Sequence, residues 1–405
     1  MAMQTRIAAW TIAASVFTGA LSAAQAQVTT CRNTGSFDRW LEEFHKEALS
    51  QGISRQTIAA AAPYMTFEPR VIGIDRGQRV FGQSFVEFSQ KLVPAGRLGQ
   101  GHAQLKRHAA SFAKLEQQYG VPGPVIVAFW GLESDYGGNK GKEPALRALT
   151  TLAYDCRRPQ MFREQLHFAL RLFERGDITP ERMIGSWAGE VGHMQFMPKE
   201  YFQSGVDFDG DGKRDIINSV PDALASSANY VSGLGWRRGE PWLEEVRVPQ
   251  TLKWEEADLA IRHPRSQWVN WGVRAAQGSL PADQLPASLV LPMGRFGPAF
   301  LAYPNFTDVY LKWNQSLVYS LTAAYFATRL TGAPALNRGS PDIQTLSVEQ
   351  AKELQSLLVR QGYDVGGVDG RIGLATRAAV KKAQLKFKMP ADSYPTAELI
   401  ARLRR

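Results

Sequence analysis

The chain has 405 residues, a formal net charge of +9 and 44% hydrophobic residues, enough for two or three domains around a sizeable core. The positive surplus includes no basic run interleaved with aromatics, so nucleic acid is excluded as a partner and a mild preference for an anionic polymer remains. The six histidines, at 45, 102, 108, 167, 193 and 263, have no metal-ligand spacing with one another or with the two cysteines, which argues against a zinc peptidase or amidase.

Residues 1–26 read as a secretory signal: Arg6, the apolar stretch Ile7 to Leu21, and Ala24-Gln25-Ala26 as a small-x-small cleavage site. The apolar run is short for a bilayer and is broken by Thr and Ser, which predicts export to the periplasm rather than a transmembrane anchor. Thr30 before Cys31 argues against a lipid anchor, so the mature protein is expected to be soluble. No later segment is apolar enough to span a membrane. In an oxidising compartment the pair Cys31 and Cys156 predicts one disulfide, with two unpaired thiols as the alternative.

Phe37, Trp40, Leu41, Phe44 and Ala48 recur at helical spacing, with Ser36 as N-cap and Gly52 at the end. Helical pattern continues from 54 to 175. Pro122 and Pro124 stand where a helix can start, and Val125 to Leu132 is apolar on every face, as a central helix requires. From about Arg237 to Thr307, Val246-Arg-Val and Ser288-Leu-Val-Leu lie among Pro and Gly, which predicts short strands. Helical pattern returns at Trp313 to Leu330, and residues 333–345 read as a linker. The segment 346–405 carries eleven Lys/Arg against six Asp/Glu. Its capping box Ser347-Val-Glu-Gln350 opens the first of three helices of a small module. The expected fold is mainly α (α+β).

Chemistry concentrates between 125 and 222. Glu133 ends the apolar run Val125-Ile-Val-Ala-Phe-Trp-Gly-Leu and precedes a glycine-rich break; burial there raises a carboxyl pKa, as a general acid near neutral pH requires. Ordinary glycosidases use two flanking carboxylates. Asp135 points away from Glu133 on a helix, and Glu190 is a conceivable second group at an unknown distance. One carboxyl suffices if the substrate supplies its own nucleophile. Asp207, Asp209, Asp211 and Asp215 fall at positions 1, 3, 5 and 9 of an EF-hand-like loop, with Gly212 at the turn. Position 12 is Asn218, so Asp222 is the candidate for the remaining carboxylate; with Lys213 these make the candidate metal set.

Gly131-Leu-Glu-Ser-Asp-Tyr-Gly137, Arg157-Arg158, Gly185-Ser-Trp-Ala-Gly189, Gln195-Phe-Met-Pro198, Asp207-Phe-Asp-Gly-Asp-Gly212, Asn229-Tyr230, Gly297-Pro-Ala-Phe300 and Trp313-Asn-Gln-Ser316 follow one another as in a known family. Over about residues 34–332 the chain resembles the B-type lytic murein transglycosylases, glycoside hydrolase family 103. The resemblance implies a lysozyme-like catalytic domain with a small strand-containing subdomain. It implies cleavage of the MurNAc–GlcNAc bond of peptidoglycan without water, the sugar's C6 hydroxyl being the nucleophile, and no cofactor for catalysis. Carried over, Glu133 matches the acid/base, Ser186 and Gln195 the groups holding the sugar's N-acetyl and hydroxyls, and Phe196 and Tyr230 aromatic walls. Arg157 and Arg158 match basic residues that would meet a muramic carboxylate or stem peptide. Trp313 stands where the family pattern has a Tyr, and Asn314 is a further substrate-binding candidate. A calcium or sodium ion is implied in the acidic loop.

The C-terminal segment resembles the three-helix peptidoglycan-binding domain through Gly362-Tyr, Gly367-Val-Asp-Gly-Arg-Ile-Gly373, Thr376 and Ala383-Gln384. Its basic surplus suits anionic stem peptides. Glycan strands, stem peptides and wall-synthesis complexes are the expected partners. The alternatives are a hydrolytic muramidase completed by Glu190 or water, and a non-catalytic wall-binding scaffold.

Overall fold

A computed structural model describes residues 33, 35–77, 83–337, 339, 343 and 345–405. The expected signal segment, Cys31 and part of the expected linker lie outside the described residues. Cys156 is disulfide-bonded.

The first helix, Phe37–Ser50, starts where Ser36 accepts the Arg39 N–H, and it buries Phe44 and Ala48. Short helices continue up to Tyr119. The helix Gly123–Ser134 runs through the middle of the main core, with Val125 to Gly131 all buried. It has no polar face because other helices surround it, above all Leu317–Leu330 and Ala95–Arg107. Asp135 and Tyr136 then take left-handed backbone at φ 51° and 59°, which ends the helix directly after Glu133 and Ser134.

The strands are β1 (Glu143–Pro144), β2 (Ile184–Gly185), β3 (Leu243–Arg247), β4 (His263–Pro264), β5 (Arg274–Ala275), β6 (Pro286–Val290) and β7 (Ala299–Ala302). β1 and β2 form one small antiparallel pair, and the other five form a sheet in the order β4-β6-β7-β3-β5. The two-residue period of a strand divides the side chains of this sheet between two cores. Ala287, Leu289 and Leu301 join Trp268 and Tyr303 in a core of the sheet's own. Val290, Phe300 and Ala302 point the other way, into the helical core.

The helical return breaks in two. A π-helix, Asn305–Tyr310, leads into Leu311–Trp313; the chain then extends at Asn314 and restarts as Leu317–Leu330 with Ser316 as N-cap. Asn305, fully buried, holds the start of this segment by accepting the Arg237 N–H and donating to the carbonyls of Arg237 and Glu240. A π-helix widens the turn and re-aims the residues C-terminal to it. Here the residue re-aimed is Trp313.

The last three helices are Val348–Arg360, whose capping box forms, Leu374–Lys386 and Ala397–Leu403. They surround a third core containing Leu354, Leu358, Val380 and Leu399. Buried Gln355 ties the intervening loop by donating to the Arg371 carbonyl at 2.9 Å, with Asp369 and Thr376 oxygens sharing its second N–H at 3.2 Å, and by accepting the Gly370 N–H. This module packs against the sheet. Arg377, 9% exposed, donates to the carbonyls of Leu291 and Pro292, and Lys381, 7% exposed, to the Ala257 carbonyl and the Asp258 carboxylate. Two of the eleven basic residues of this module are therefore committed to this docking. The expected linker is also engaged: Leu336 is buried, and Asn337 donates its N–H to Glu245.

Candidate active site

Glu133 stands on the last turn of the central helix, partly buried. Its Oε1 accepts the indole N–H of Trp313 at 2.9 Å and the hydroxyl of Tyr319. Its Oε2 takes no hydrogen bond from the described residues. Burial drives the pKa up from the ordinary carboxyl value to about 7; the two donors oppose that rise, and the nearby charge of Glu190 adds to it. A carboxyl so placed holds its proton close to neutral pH and can still release it. Asp135 turns away to Arg97 at 3.1 Å.

The loop from 185 to 197 faces this helix end and is anchored to it. Ser134 donates to the His193 carbonyl at 2.6 Å, and the Trp130 indole donates to His193 Nδ1 at 3.0 Å. Burial lowers the His193 pKa to about 4, so the ring is neutral and accepts that bond. Bridges Gly185↔Val191 and Val191↔Phe196 fold the loop on itself. Glycine is needed at Gly141, where φ is +87° and a Cβ would sit 2.0 Å from the Gly185 carbonyl oxygen.

The side chains named from sequence divide into groups. Trp313 touches the acid directly, stacks on Phe129 at 4.0 Å and meets Tyr230 at 5.4 Å and Phe196 at 5.7 Å. Tyr230 is half-buried, whereas Phe196 is only 3% exposed, so it backs the aromatic wall instead of forming its surface. Gln195, at φ +47°, spends its amide N–H groups on the carbonyls of Gly192 and Lys140 and leaves its oxygen unbonded among the described residues.

Three other groups of these residues have partners of their own. The Ser186 hydroxyl donates to Glu190 at 3.0 Å and accepts the N–H groups of Ala188 and Glu190, so it is occupied within its own loop. Arg157 and Arg158 both pair with the buried carboxylate of Asp75, Arg157 through its fork and Arg158 through one N–H, which leaves further donors on each exposed. Asn314 accepts the Ser316 N–H and so shapes the helix restart.

Tyr319 was not anticipated. It lies 186 positions from Glu133, and nothing local marks it. The capping serine at 316, which starts the helix three residues earlier, is the only nearby signal. Glu190 also belongs to the site: it is partly buried, and burial raises its pKa while Ser186 and the charge of Arg158 oppose the rise.

In the acidic loop, Asp207, Asp209 and Asp211 converge, each offering an oxygen within 4.8 Å of the others. Three carboxylates that close repel one another unless a cation joins them, so this trio fits a hard divalent or monovalent ion. Lys213 and Asp215 are not part of the trio; Asp215 accepts the N–H groups of Ile217 and Asn218 and pairs with Arg182 at 3.7 Å. Asp222 is corrected more strongly. It is 0% exposed and accepts backbone N–H groups from Phe208, Asp209 and Asp215, so it is the peg on which the loop hangs. A separate cavity of about 360 Å³ lies between β3, β7 and Pro334, Ala335, Asn337 and Gly339, lined also by Glu245, Arg247, Arg295 and Phe296; no proposed site residue lines it.

The chain is similar to known proteins over both its larger and its C-terminal part. The Transglycosylase SLT domain model matches residues 36–328, and a peptidoglycan binding domain model matches residues 347–403. Membrane-bound lytic murein transglycosylase B of Escherichia coli K12 is 33% identical over 158 residues, 39% of this chain and 44% of the length of that relative. SltB3 of Pseudomonas aeruginosa, solved in complex with NAG-anhNAM-pentapeptide, is 41% identical, superposes with a TM-score of 0.85, and the match covers 92% of this chain and 100% of that one. The E. coli lytic transglycosylase Slt35, solved in complex with calcium, is 26% identical at a TM-score of 0.60, the match covering 72% of this chain and 92% of that one.

Proposed function

The chain belongs to the transglycosylase SLT-domain family, and from that premise we propose that it cleaves the β-1,4 bond between MurNAc and GlcNAc of peptidoglycan without water, leaving 1,6-anhydroMurNAc ends. Glu133 protonates the departing oxygen as the bond to C1 breaks. The resulting carboxylate then takes the proton of the C6 hydroxyl as O6 bonds to C1, which restores the acid and closes the anhydro ring. The bound glycan supplies both leaving group and nucleophile, so no water is consumed. The observation that carries this reading is the Glu133 carboxyl, with its proton held near neutrality and one oxygen free of hydrogen bonds among the described residues.

Trp313 and Tyr319 fix the rotamer of that carboxyl. Tyr230 and Trp313 offer ring faces to the sugars, and the Gln195 oxygen offers an acceptor. The three carboxylates at 207, 209 and 211 would hold calcium or sodium in a structural role, bracing the loop beside the site. The sequence features of residues 1–26 support export to the periplasm as a soluble protein. Among the described residues no helix is long and apolar enough to cross a membrane. The C-terminal module would hold the enzyme to the wall, where stem peptides and wall-synthesis complexes are the partners in reach.

Mass spectrometry of digested sacculi tests the chemistry, because the anhydro product is lighter than the hydrolytic one by one water. Glu133→Gln should bind sacculi and release no anhydromuropeptides; full release by that variant ends the assignment. A second reading, hydrolysis with Glu190 activating a water, is favoured by a second partly buried carboxyl whose charge acts on Glu133, and it predicts reducing MurNAc ends instead.

A further inference from the structure

We propose that the cavity beside β3 and β7 is a second wall-binding site, one that takes an uncross-linked stem peptide with its carboxylates on Arg247 and Arg295 and its free amine on Glu245. This assignment rests on the proposed peptidoglycan substrate and adds a site outside the Glu133 cleft, none of whose named residues lines the cavity.

Strand periodicity brings the charges together. Glu245 and Arg247 stand two residues apart on β3 and so share one face of the sheet. That face turns towards the helices, because Phe300, opposite Glu245 on β7, belongs to the helical core. At Glu245 and Arg247 the core stops and the cavity begins, its volume of about 360 Å³ falling within the range of small-ligand sites. Arg247 gives one N–H to the Ala276 carbonyl at 3.0 Å and has no ion-pair partner among the described residues. The Arg295 guanidinium is 3.9 Å from the Asp392 carboxylate, too far for a hydrogen bond, and lies over the Phe296 ring at 4.5 Å from its centroid. Glu245 accepts the Asn337 N–H on Oε1 at 2.9 Å, and its Oε2 takes no hydrogen bond among the described residues. Phe296, 57% exposed, adds an apolar lip. The wall beside it is fixed by Gly339, at φ +76°, where a Cβ would fall 2.5 Å from the Phe296 carbonyl oxygen. Two cations and one anion, held apart around an unfilled volume, match a ligand that carries carboxylates and an amine. A neutral sugar needs no such set, and a simple polyanion would meet Glu245. A stem peptide carries both charges until cross-linking turns its amine into an amide, and charge-assisted bonds to each are the strong ones.

The probe is a stem pentapeptide capped at its N-terminus, as the sugar caps it, so that the cross-linking amine is its only one. Its binding to the full-length protein is followed by calorimetry. Binding should saturate, and Arg247→Ala should weaken it about tenfold, as loss of a charged hydrogen bond requires. Acetylating the amine should weaken binding to the wild type about fivefold or more. The same acetylation should change binding to Glu245→Gln by less than about twofold, since glutamine keeps an oxygen for the Asn337 N–H and has no charge for the amine. Undiminished binding by Arg247→Ala places the peptide elsewhere and overturns the site. Equal binding of free and acetylated peptide to the wild type overturns it too, as does an absence of saturation at about 10 mM. Should Arg247→Ala fail to fold, Glu245→Gln with the two peptides decides alone. No glycan is cut in this test, so its result separates from the proposed function. A wild type that binds the peptide and makes no anhydro ends from sacculi loses that function and keeps the site. Anhydro ends without peptide binding remove the site alone.

Discussion

Glu133 was legible as a residue because a carboxylate at the end of an all-apolar helix is costly without a purpose. Its partners were not. Tyr319 reaches it from 186 positions away, and Trp313 only becomes its donor because a π-helix re-aims the segment ahead of it. Both donors stabilise the ionised form and hold the pKa below the value that burial alone would give. Tyr319→Phe should therefore raise the Glu133 pKa, and the alkaline limb of the kcat/KM profile should move to higher pH; a shift to lower pH would contradict this. Stability carries the same signature. The folded-state pKa of about 7 lies above the unfolded value, so the cost of ionising Glu133 is absent at pH 4 and grows as pH rises towards 7. Glu133→Gln should thus gain melting temperature over wild type at pH 8 and show no gain at pH 4, with an advantage on the order of 1–3 kcal/mol at the higher pH. Its release of anhydromuropeptides should fall below detection, since general acid–base catalysis alone contributes about a hundredfold to ten-thousandfold.

At the scale of elements, the acidic loop shows what spacing reveals and what it hides. Alternating aspartates announced a cation loop, and Asp207, Asp209 and Asp211 do converge. Asp222 fits the expected ligand distance along the chain equally well, yet it is sealed inside, collecting backbone N–H groups from both ends of the loop. Burial state is invisible in a one-dimensional pattern. The two roles separate on melting curves. Asp209→Asn should leave the metal-free melting temperature nearly unchanged while reducing the rise produced by added calcium. Asp222→Ala should lower the metal-free melting temperature itself, with a loss of stability on the order of 1–3 kcal/mol, because it leaves three part-buried backbone donors without their acceptor. The helices were read with good fidelity from caps and periodicity, the Ser36 and Ser347 caps included. The break at Asn314 was missed, since Asn and Ser there favour local bonds that interrupt an otherwise apolar helical stretch.

For the whole molecule, charge counting does not tell where each charge lies. The basic surplus of the C-terminal helices pointed to an anionic ligand, but composition does not say which face a charge occupies. Arg377 and Lys381 are buried against the sheet, where they satisfy carbonyls of Leu291, Pro292 and Ala257. Arg377→Ala should destabilise the full chain by about 2–4 kcal/mol, measured by urea titration, since it strips a buried donor from two carbonyls. An exposed tether would tolerate the change. Removing residues 334–405 should likewise weaken sedimentation with sacculi and also lower the melting temperature of the remaining chain, because it uncovers that surface of the sheet.

The docking contact has a geometric outcome. A wall-gripping arm on a loose leash would let the acid sample many bonds around each point of attachment. With Arg377, Lys381 and Asn337 pinning the arm and its approach, attachment point and cutting point keep one separation, so cuts along a strand should recur at a set interval from the place where the protein holds on.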